Sequence, residues 1–414
     1  MNRQLPTIHS LTLEDISLLY GSHKIFFYGA GTAVSSYGRI ANAIFLHSKL
    51  KFDGFLDDDS QRHNSWFLKK QVYNDLNFIN SNDKVLIILT NNYLDNILKN
   101  PLLFQSNVTV ASMAGFTEDI NPEALEGLMS ITEANRRLYT HKQKVERFNS
   151  TNSGLFIITA LDVQVTERCT MKCKDCSNLM QYYQKPKNAD TDLLLQSISL
   201  FLDSIDYLSD ARVIGGEPFL APNLDRVLNL LKNSEKVKNI TVYTNATIIP
   251  SESVIAALVS PKVYVEITDY DELSRSIKTL FTNLSSAGVR VFMHKPQNWT
   301  DSARIVKNNL STSDLSDMFS KCCVNDVLTL LHGKIYHCPF SANSVNLGAF
   351  EVSENESIDL AIFSSPSELR NKLKRWYFGQ PHLDSCRYCL GRDFSQPQVV
   401  PAIQTRKPIL FTAN

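Results

Sequence analysis

Cys169-Thr170-Met171-Lys172-Cys173-Lys174-Asp175-Cys176 places three cysteines within one short stretch, at C-x3-C-x2-C spacing. A cubane iron–sulfur cluster contains four irons and is normally held by four thiolates. Three closely spaced thiolates hold three of those irons and leave the last one open to an outside ligand. Zinc is the competing reading. Structural zinc takes four closed ligands, usually as paired C-x2-C units, so here its fourth ligand would have to come from a distant part of the chain.

The rest of the chain sets the context. A length of 414 residues is long for one domain, and two or three are expected. Apolar residues make up 43%, ample for sizeable cores. The formal net charge is zero, which removes any electrostatic case for nucleic acid or an anionic membrane surface as partner. No apolar run reaches membrane-spanning length, and the start, Met1 to Pro6, lacks an apolar signal core. A cytoplasmic location is therefore expected. In that compartment the eight cysteines point to metal binding or catalysis rather than to structural disulfides.

The chain opens with a short helical pattern in residues 1–20, Thr12 standing as N-cap before Glu14 and Asp15. His23–Tyr28 then reads as a buried strand, followed by Gly29-Ala30-Gly31 and a helix. A second strand, Phe52–Leu56, ends in Asp57-Asp58-Asp59, where dinucleotide-type folds grip a ribose or a base; a third strand is Lys84–Thr90. Val34 stands where the third glycine of G-x-G-x-x-G belongs, so NAD binding is not favoured. Residues 24–59 resemble the small N-terminal domain of bacterial sugar acyltransferases, which implies a nucleotide-sugar ligand. A Rossmann-like docking domain that binds nothing fits the same residues. Residues 120–153 are polar and helical in pattern and end in the turn-rich Asn149–Gly154, which reads as a linker.

From Leu155 short apolar runs alternate with helical segments. Strands are expected at Leu161–Val165, Arg212–Ile214, Ile240–Thr244, Val263–Thr268 and Val289–Met293, with helices near 190–207, 223–232, 251–258 and 272–286. Repeated strand–helix units predict a parallel sheet with functional loops at the C-terminal strand ends. The cysteine loop follows the first of these strands. Gly215-Gly216-Glu217-Pro218 follows the second, Asn245 the third, and Thr268, with Ser274 further on, the fourth. Two glycines let backbone approach a ligand, and a carboxylate accepts hydrogen bonds from an ammonium.

Further on, Leu328–His337 reads as a hairpin turning at His332-Gly333. It lies between Cys323 and Cys338 in the pattern C-x9-G-x4-C, and Cys386-Arg387-Tyr388-Cys389 follows after a gap.

These motifs, in this order over about residues 160–395, resemble the radical S-adenosylmethionine enzymes with a C-terminal twitch (SPASM-like) subdomain. The resemblance implies an α/β fold: a partial (β/α)6 TIM-type barrel with a C-terminal twitch hairpin, preceded by a small Rossmann-like α/β domain. The implied limits are 1–120 for the Rossmann-like domain, 121–154 for the helical linker, 155–310 for the core, and 311–414 for the twitch and tail. Cys169, Cys173 and Cys176 are then ligands of the [4Fe-4S] cluster that binds S-adenosyl-L-methionine. Gly215, Gly216, Glu217 and Pro218 face the methionyl amine, and Asn245, Thr268 and Ser274 lie at the level of the ribose. Helix capping is the other reading of Ser274. His294, Trp299, Asp301 and Arg304 are candidates to face the substrate, and no catalytic residue is assigned.

Cys323, Cys338, Cys386 and Cys389 are implied as ligands of one auxiliary iron–sulfur cluster, with Cys322 also fitting the spacing in place of Cys323. The same four also suit a four-thiolate zinc site, which would leave a zinc-stabilised scaffold rather than an enzyme. Many relatives carry an aromatic residue before the third loop cysteine. Asp175 stands there, which predicts a more polar, more open cluster site.

The implied reaction is an oxidoreductase's: a 5′-deoxyadenosyl radical abstracts hydrogen from the substrate. A carbohydrate is expected, either a nucleotide-sugar or an aminocyclitol that is dehydrogenated or epimerised, with a flavodoxin or ferredoxin as reductant. The alternative is a peptide- or protein-modifying maturase.

Overall fold

A computed structural model describes residues 7–30, 37–77, 79–80, 82–90, 100–118, 120–129, 131–152, 155–392 and 397–411. The chain divides into two compact units, Met1–Leu155 and Phe156–Asn414. The 155–310 and 311–414 segments thus share one unit.

In the first unit, β1 (His9–Ser10), β2 (His23–Tyr28), β3 (Gly54–Leu56), β4 (Trp66–Phe67), β5 (Lys70–Tyr73), β6 (Lys84–Leu89) and β7 (Val108–Ser112) form one sheet, ordered β1-β7-β6-β2-β3-β5-β4. All neighbours are parallel except β4 and β5. The central strands bury both faces, which is why they read as continuous apolar runs. Ile25 and Phe27 face one apolar cluster, and Phe26 and Tyr28 face the other. Thr12 caps the helix Leu13–Leu19 through a capping box with Asp15. Gly31 and Val34 lie outside the described residues.

The three acids after β3 bond to the chain itself. Asp57 Oδ2 accepts from Ala30 N at 2.8 Å, and Asp58 Oδ1 accepts from the Tyr28 hydroxyl at 2.6 Å. Asp59 Oδ1 caps the turn 60–62 through Gln61 N at 3.0 Å. These bonds brace the strand end.

In the second unit, β8 (Ile157–Thr166), β9 (Tyr207–Gly215), β10 (Val237–Thr244), β11 (Val263–Thr268) and β12 (Arg290–His294) pair in order and in parallel. A short antiparallel pair, β13 (Trp299–Thr300) and β17 (Gln398–Val399), stands apart. β14 (Val327–Leu331) pairs in parallel with the other side of β8, and β15 (Lys334–Tyr336) and β16 (Ser357–Asp359) extend that edge antiparallel. The expected hairpin is present: β14 turns into β15 through His332 at φ 48° and Gly333 at φ 78°, the two left-handed positions a type I′ turn requires.

The two faces of this sheet differ in chemistry. Leu161, Val163, Val165, Ala211, Val213, Ile240, Val242, Val265 and Ile267 pack with helices 191–203, 224–233, 252–258, 277–286 and 366–379 into one apolar core. The alternate positions, including Asp162, Gln164, Asp210, Thr241, Glu266 and Thr329, are polar. Successive strand residues point to opposite faces, so these polar groups share the face away from the helices. Asp162, Gln164 and Thr329 are nevertheless buried. Among the described residues, no helix is long and apolar enough to cross a membrane.

Candidate functional site: two cysteine clusters on one unit

The loop after β8 is fixed at its root. Thr166 Oγ1 accepts from Arg168 N at 3.0 Å and donates to Asn188 Oδ1 at 2.8 Å. The buried Glu167 holds Lys187 N at 2.7 Å through Oε2. Its Oε1 lies 2.8 Å from both Asn346 Nδ2 and His332 Nε2 at the hairpin tip. The loop is therefore stapled to the hairpin that follows much later in sequence.

Gly215 and Gly216 close against this root. A Cβ on Gly215 would lie 2.3 Å from the Thr166 carbonyl oxygen, and one on Gly216 would lie 2.6 Å from the Cys169 Cβ. The paired glycines are required by contact with the cysteine loop itself. Glu217 is fully buried, and both its oxygens have partners in the chain: Thr244 Oγ1 at 2.9 Å, Asn245 N at 2.9 Å and Phe219 N at 3.2 Å. Burial pushes its pKa up to about 7, against the pull of these donors. The carboxylate thus ties the ends of β9 and β10 together rather than standing open to an ammonium. Pro218, also buried, starts the turn 218–220.

Cys169, Cys173 and Cys176 are neighbours, and burial raises all three thiol pKa values, that of Cys173 to about 12. Hydrogen-bond donors surround the sulfurs. Met171 N lies 3.4 Å and Asn245 Nδ2 3.6 Å from Cys169 Sγ, and Gln404 Nε2 lies 3.2 Å from Cys173 Sγ. Asn245 also reaches Thr170 Oγ1 at 3.3 Å, so its side chain orders the loop. Among the described residues, no group of three or more His, Cys, Asp or Glu side chains closes around a single metal ion. Soft thiols ringed by N–H donors suit an anionic iron–sulfur cluster.

Three features here were invisible in sequence. The tail lies along the loop: Lys174 N donates to Ile403 O at 2.7 Å, Thr405 N to Lys172 O at 2.7 Å, and Lys172 N to Gln404 Oε1 at 2.7 Å. Tyr270 stands beside the three thiols, its phenol pKa raised by burial and then by the charges of Cys173 and Cys176. Asp175 is buried, 6% exposed, while Cys169, Cys173 and Cys176 are half-buried.

The remaining candidates separate. Ser274 is the C-cap of the short 3-10 helix Asp271–Leu273, and its buried hydroxyl donates to Asn245 O at 2.8 Å and Thr268 O at 3.2 Å, joining two strand ends. Thr268 is half-buried at the end of β11. His294 Nδ1 lies 3.5 Å from Glu266 Oε1. Trp299 packs edge-to-face on Tyr270 at 5.8 Å. Asp301 pairs with Arg304 at 3.2 Å.

The second cysteine group lines one small cavity. Cys338 caps the helix Pro339–Asn346, its sulfur accepting from Ser341 N at 3.3 Å. Asn308 Nδ2 holds the Cys386 and Cys389 carbonyls at 2.8 and 3.1 Å. The fourth sulfur of the cavity belongs to Cys322, whereas Cys323 is exposed. The turn after helix Thr312–Ser320 sets this: Cys322 N donates back to Phe319 O, and Cys323 N turns to Arg392 O at 3.2 Å. Cys322, the alternative to Cys323 in the spacing, is thus the one of the pair that lines this cavity. Arg392 lines the same cavity, and its buried Nε has no hydrogen-bond partner. An unmet cationic donor facing four sulfurs fits an anionic cluster.

A family model described as a 4Fe-4S single cluster domain matches residues 162–267, a span that contains Cys169, Cys173 and Cys176 but none of the later cysteines. No curated protein matches the chain. Among solved structures, the chain is similar to BtrN in complex with AdoMet and 2-DOIA, with 18% identity over 56% of this chain and 93% of that one, at a TM-score of 0.38. It is similar to native anSMEcpe with bound AdoMet and Cp18Cys peptide, with 18% identity over 33% of this chain and 42% of that one, TM-score 0.27. It is also similar to Streptococcus suis SuiB bound to S-adenosylmethionine, with 16% identity over 47% and 45%, TM-score 0.30. These likenesses are distant, and they carry nothing further. Residues 162–267 match a 4Fe-4S single cluster domain, and within that span the C-x3-C-x2-C loop is closed by the Gly-Gly-Glu strand end.

Proposed function

We propose that the chain is a radical S-adenosylmethionine oxidoreductase acting on an amine-bearing carbohydrate such as an aminocyclitol. The six parallel strands β8–β12 and β14 are the staves of a partial barrel, and the first unit is a Rossmann-like accessory domain. When bound, the cluster and S-adenosylmethionine supply a 5′-deoxyadenosyl radical that abstracts hydrogen from a C–H bond, and a reducing partner protein supplies the electron. Cys169, Cys173 and Cys176 hold that cluster; Cys322, Cys338, Cys386 and Cys389 hold an auxiliary one. Asn245 and Gln404 orient the loop sulfurs, and Glu217 fixes the strand ends where the cofactor lies.

The observation that carries the substrate class is the polar face of the sheet. Asp162, Asp210 and Glu266 share this face with two guanidiniums: Arg212, which bonds Asp162, and Arg290, which bonds the Tyr264 hydroxyl. Burial pushes Asp210 up to about 6, against the pull of Arg212 and Thr241. Gln164 and Asn343 exchange amide hydrogen bonds at 3.0 Å, and the Tyr183 hydroxyl donates to Asn343 at 2.7 Å. Such a face solvates hydroxyls and favours an ammonium. Its excess of carboxylates disfavours the diphosphate of a nucleotide-sugar.

The test is anaerobic formation of 5′-deoxyadenosine with panels of aminocyclitols, neutral sugars, nucleotide-sugars and peptides. Stimulation by amine-bearing cyclitols or amino sugars supports the assignment. Stimulation by peptides alone replaces it with the maturase reading.

A further inference from the structure

Arg392 is buried on the second unit, 7% exposed, three residues after Cys389. Its guanidinium has two different surroundings. Nη2 donates to the carbonyl of Ser177, the residue after Cys176 in the first cysteine loop. Nε has no partner, and the side chain lines the cavity of Cys322, Cys338, Cys386 and Cys389. One end of a rigid, planar cation is thus anchored on the first cluster's loop while another faces the second cysteine set. Glu356, a carboxylate close enough to act on Cys338, is already bonded to Ser341 Oγ and to Asp384 N at 2.8 Å. It does not neutralise Arg392 through a hydrogen bond.

We propose that Arg392 is a tuning residue: a fixed positive charge, held by the first cluster's loop, that raises the reduction potential of the auxiliary cluster. This rests on the reading that both cysteine sets hold iron–sulfur clusters. A cluster with four thiolates is a net anion and gains a further negative charge on reduction. A buried cation with an open N–H therefore favours the reduced form, since net charge and hydrogen bonds to sulfur set the potential. The anchor gives the charge a fixed place and makes the second cluster's ease of reduction depend on the ordering of the first loop. An auxiliary cluster poised to take up an electron is what a net oxidation of substrate requires.

The test is a dithionite redox titration followed by electron paramagnetic resonance, on the full-length reconstituted protein. It compares wild type, Arg392→Gln and Arg392→Lys, with iron and sulfide counted in each. The expected result is a lowered auxiliary midpoint in Arg392→Gln. At a fixed potential the reduced-to-oxidised ratio falls at least about tenfold, ~59 mV for a one-electron step. Arg392→Lys keeps the charge and restores most of that ratio, and iron stays at wild-type content in both. An unchanged midpoint in Arg392→Gln overturns the proposal. Loss of auxiliary iron from both variants also overturns it and makes Arg392 a structural support. A wild type that never assembles the second cluster fails instead the reading underneath.

Discussion

The carbonyl oxygen of Arg168 lies 2.3 Å from where a Cβ on Gly216 would stand, and the next residue, Glu217, donates its N–H to that oxygen at 2.9 Å. Residue 216 therefore has no room for a side chain without displacing the backbone that leads into Cys169. The effect is local in space but decisive for chemistry, because it sets where the first cysteine begins.

Gly216→Ala is expected to dislodge the cysteine loop. Iron bound by the first cluster falls to near zero while the auxiliary set keeps its iron, and stability drops by about 1–3 kcal/mol, the usual range for overpacking. Gly379→Ala, where a Cβ meets nothing within 4 Å, is the control and leaves iron content unchanged. Iron analysis with chemical denaturation of both variants checks this.

Glu217 gives a pH signature in cluster-free protein. Its folded pKa, about 7, lies above the ordinary 4.5. The native state therefore binds the extra proton, and this contribution to stability is full below about 4.5 and is lost as pH rises through about 7. The slope is at most about 1.4 kcal/mol per pH unit. Asp210, pushed up to about 6, adds a step of the same sign. Urea midpoints from pH 4.5 to 7.5 should show a shallower decline in Glu217→Gln than in wild type, and parallel curves would contradict the assignment.

Cys322 and Cys323 are adjacent in sequence but unequal in place. Cys322→Ala is expected to abolish the auxiliary cluster, removing about four irons, whereas Cys323→Ala retains it. Metal content and visible absorption read this out, and the reverse pattern would restore Cys323 as the ligand.

Gln404 reaches back to Cys173 across most of the second unit's sequence. Gln404→Leu removes the donor to that sulfur and the acceptor for Lys172 N. We expect a loss of about 0.5–1.5 kcal/mol per hydrogen bond and a more negative midpoint for the first cluster. A titration that leaves the midpoint unmoved would show that the tail only covers the loop.

The sequence carried the strand–helix alternation, the hairpin at His332-Gly333 and the first cysteine loop, because each is a local pattern. Strands β8 and β9 are longer than their apolar runs suggest. Polar residues such as Thr159, Ser209 and Asp210 interrupt the hydrophobic pattern without interrupting the strand. The segment 272–286, read as one helix, is a 3-10 turn at Asp271–Leu273 and an α-helix only from Ile277, with Ser274 between them drawn inward to bond Asn245 O and Thr268 O. The roles of Tyr270, Arg392 and Gln404 depend on pairings between distant segments, for which spacing gives no signal. Nor does spacing separate Cys322 from Cys323; the turn after helix Thr312–Ser320 does.

The central claim is that this unit holds two iron–sulfur clusters on separate cysteine sets. It is tested most directly by counting iron and acid-labile sulfide after anaerobic reconstitution, in wild type and in the Cys169→Ala/Cys173→Ala/Cys176→Ala variant. The predicted result is about eight irons falling to about four. Zinc in place of iron, or a wild type with about four irons falling to none, would contradict it.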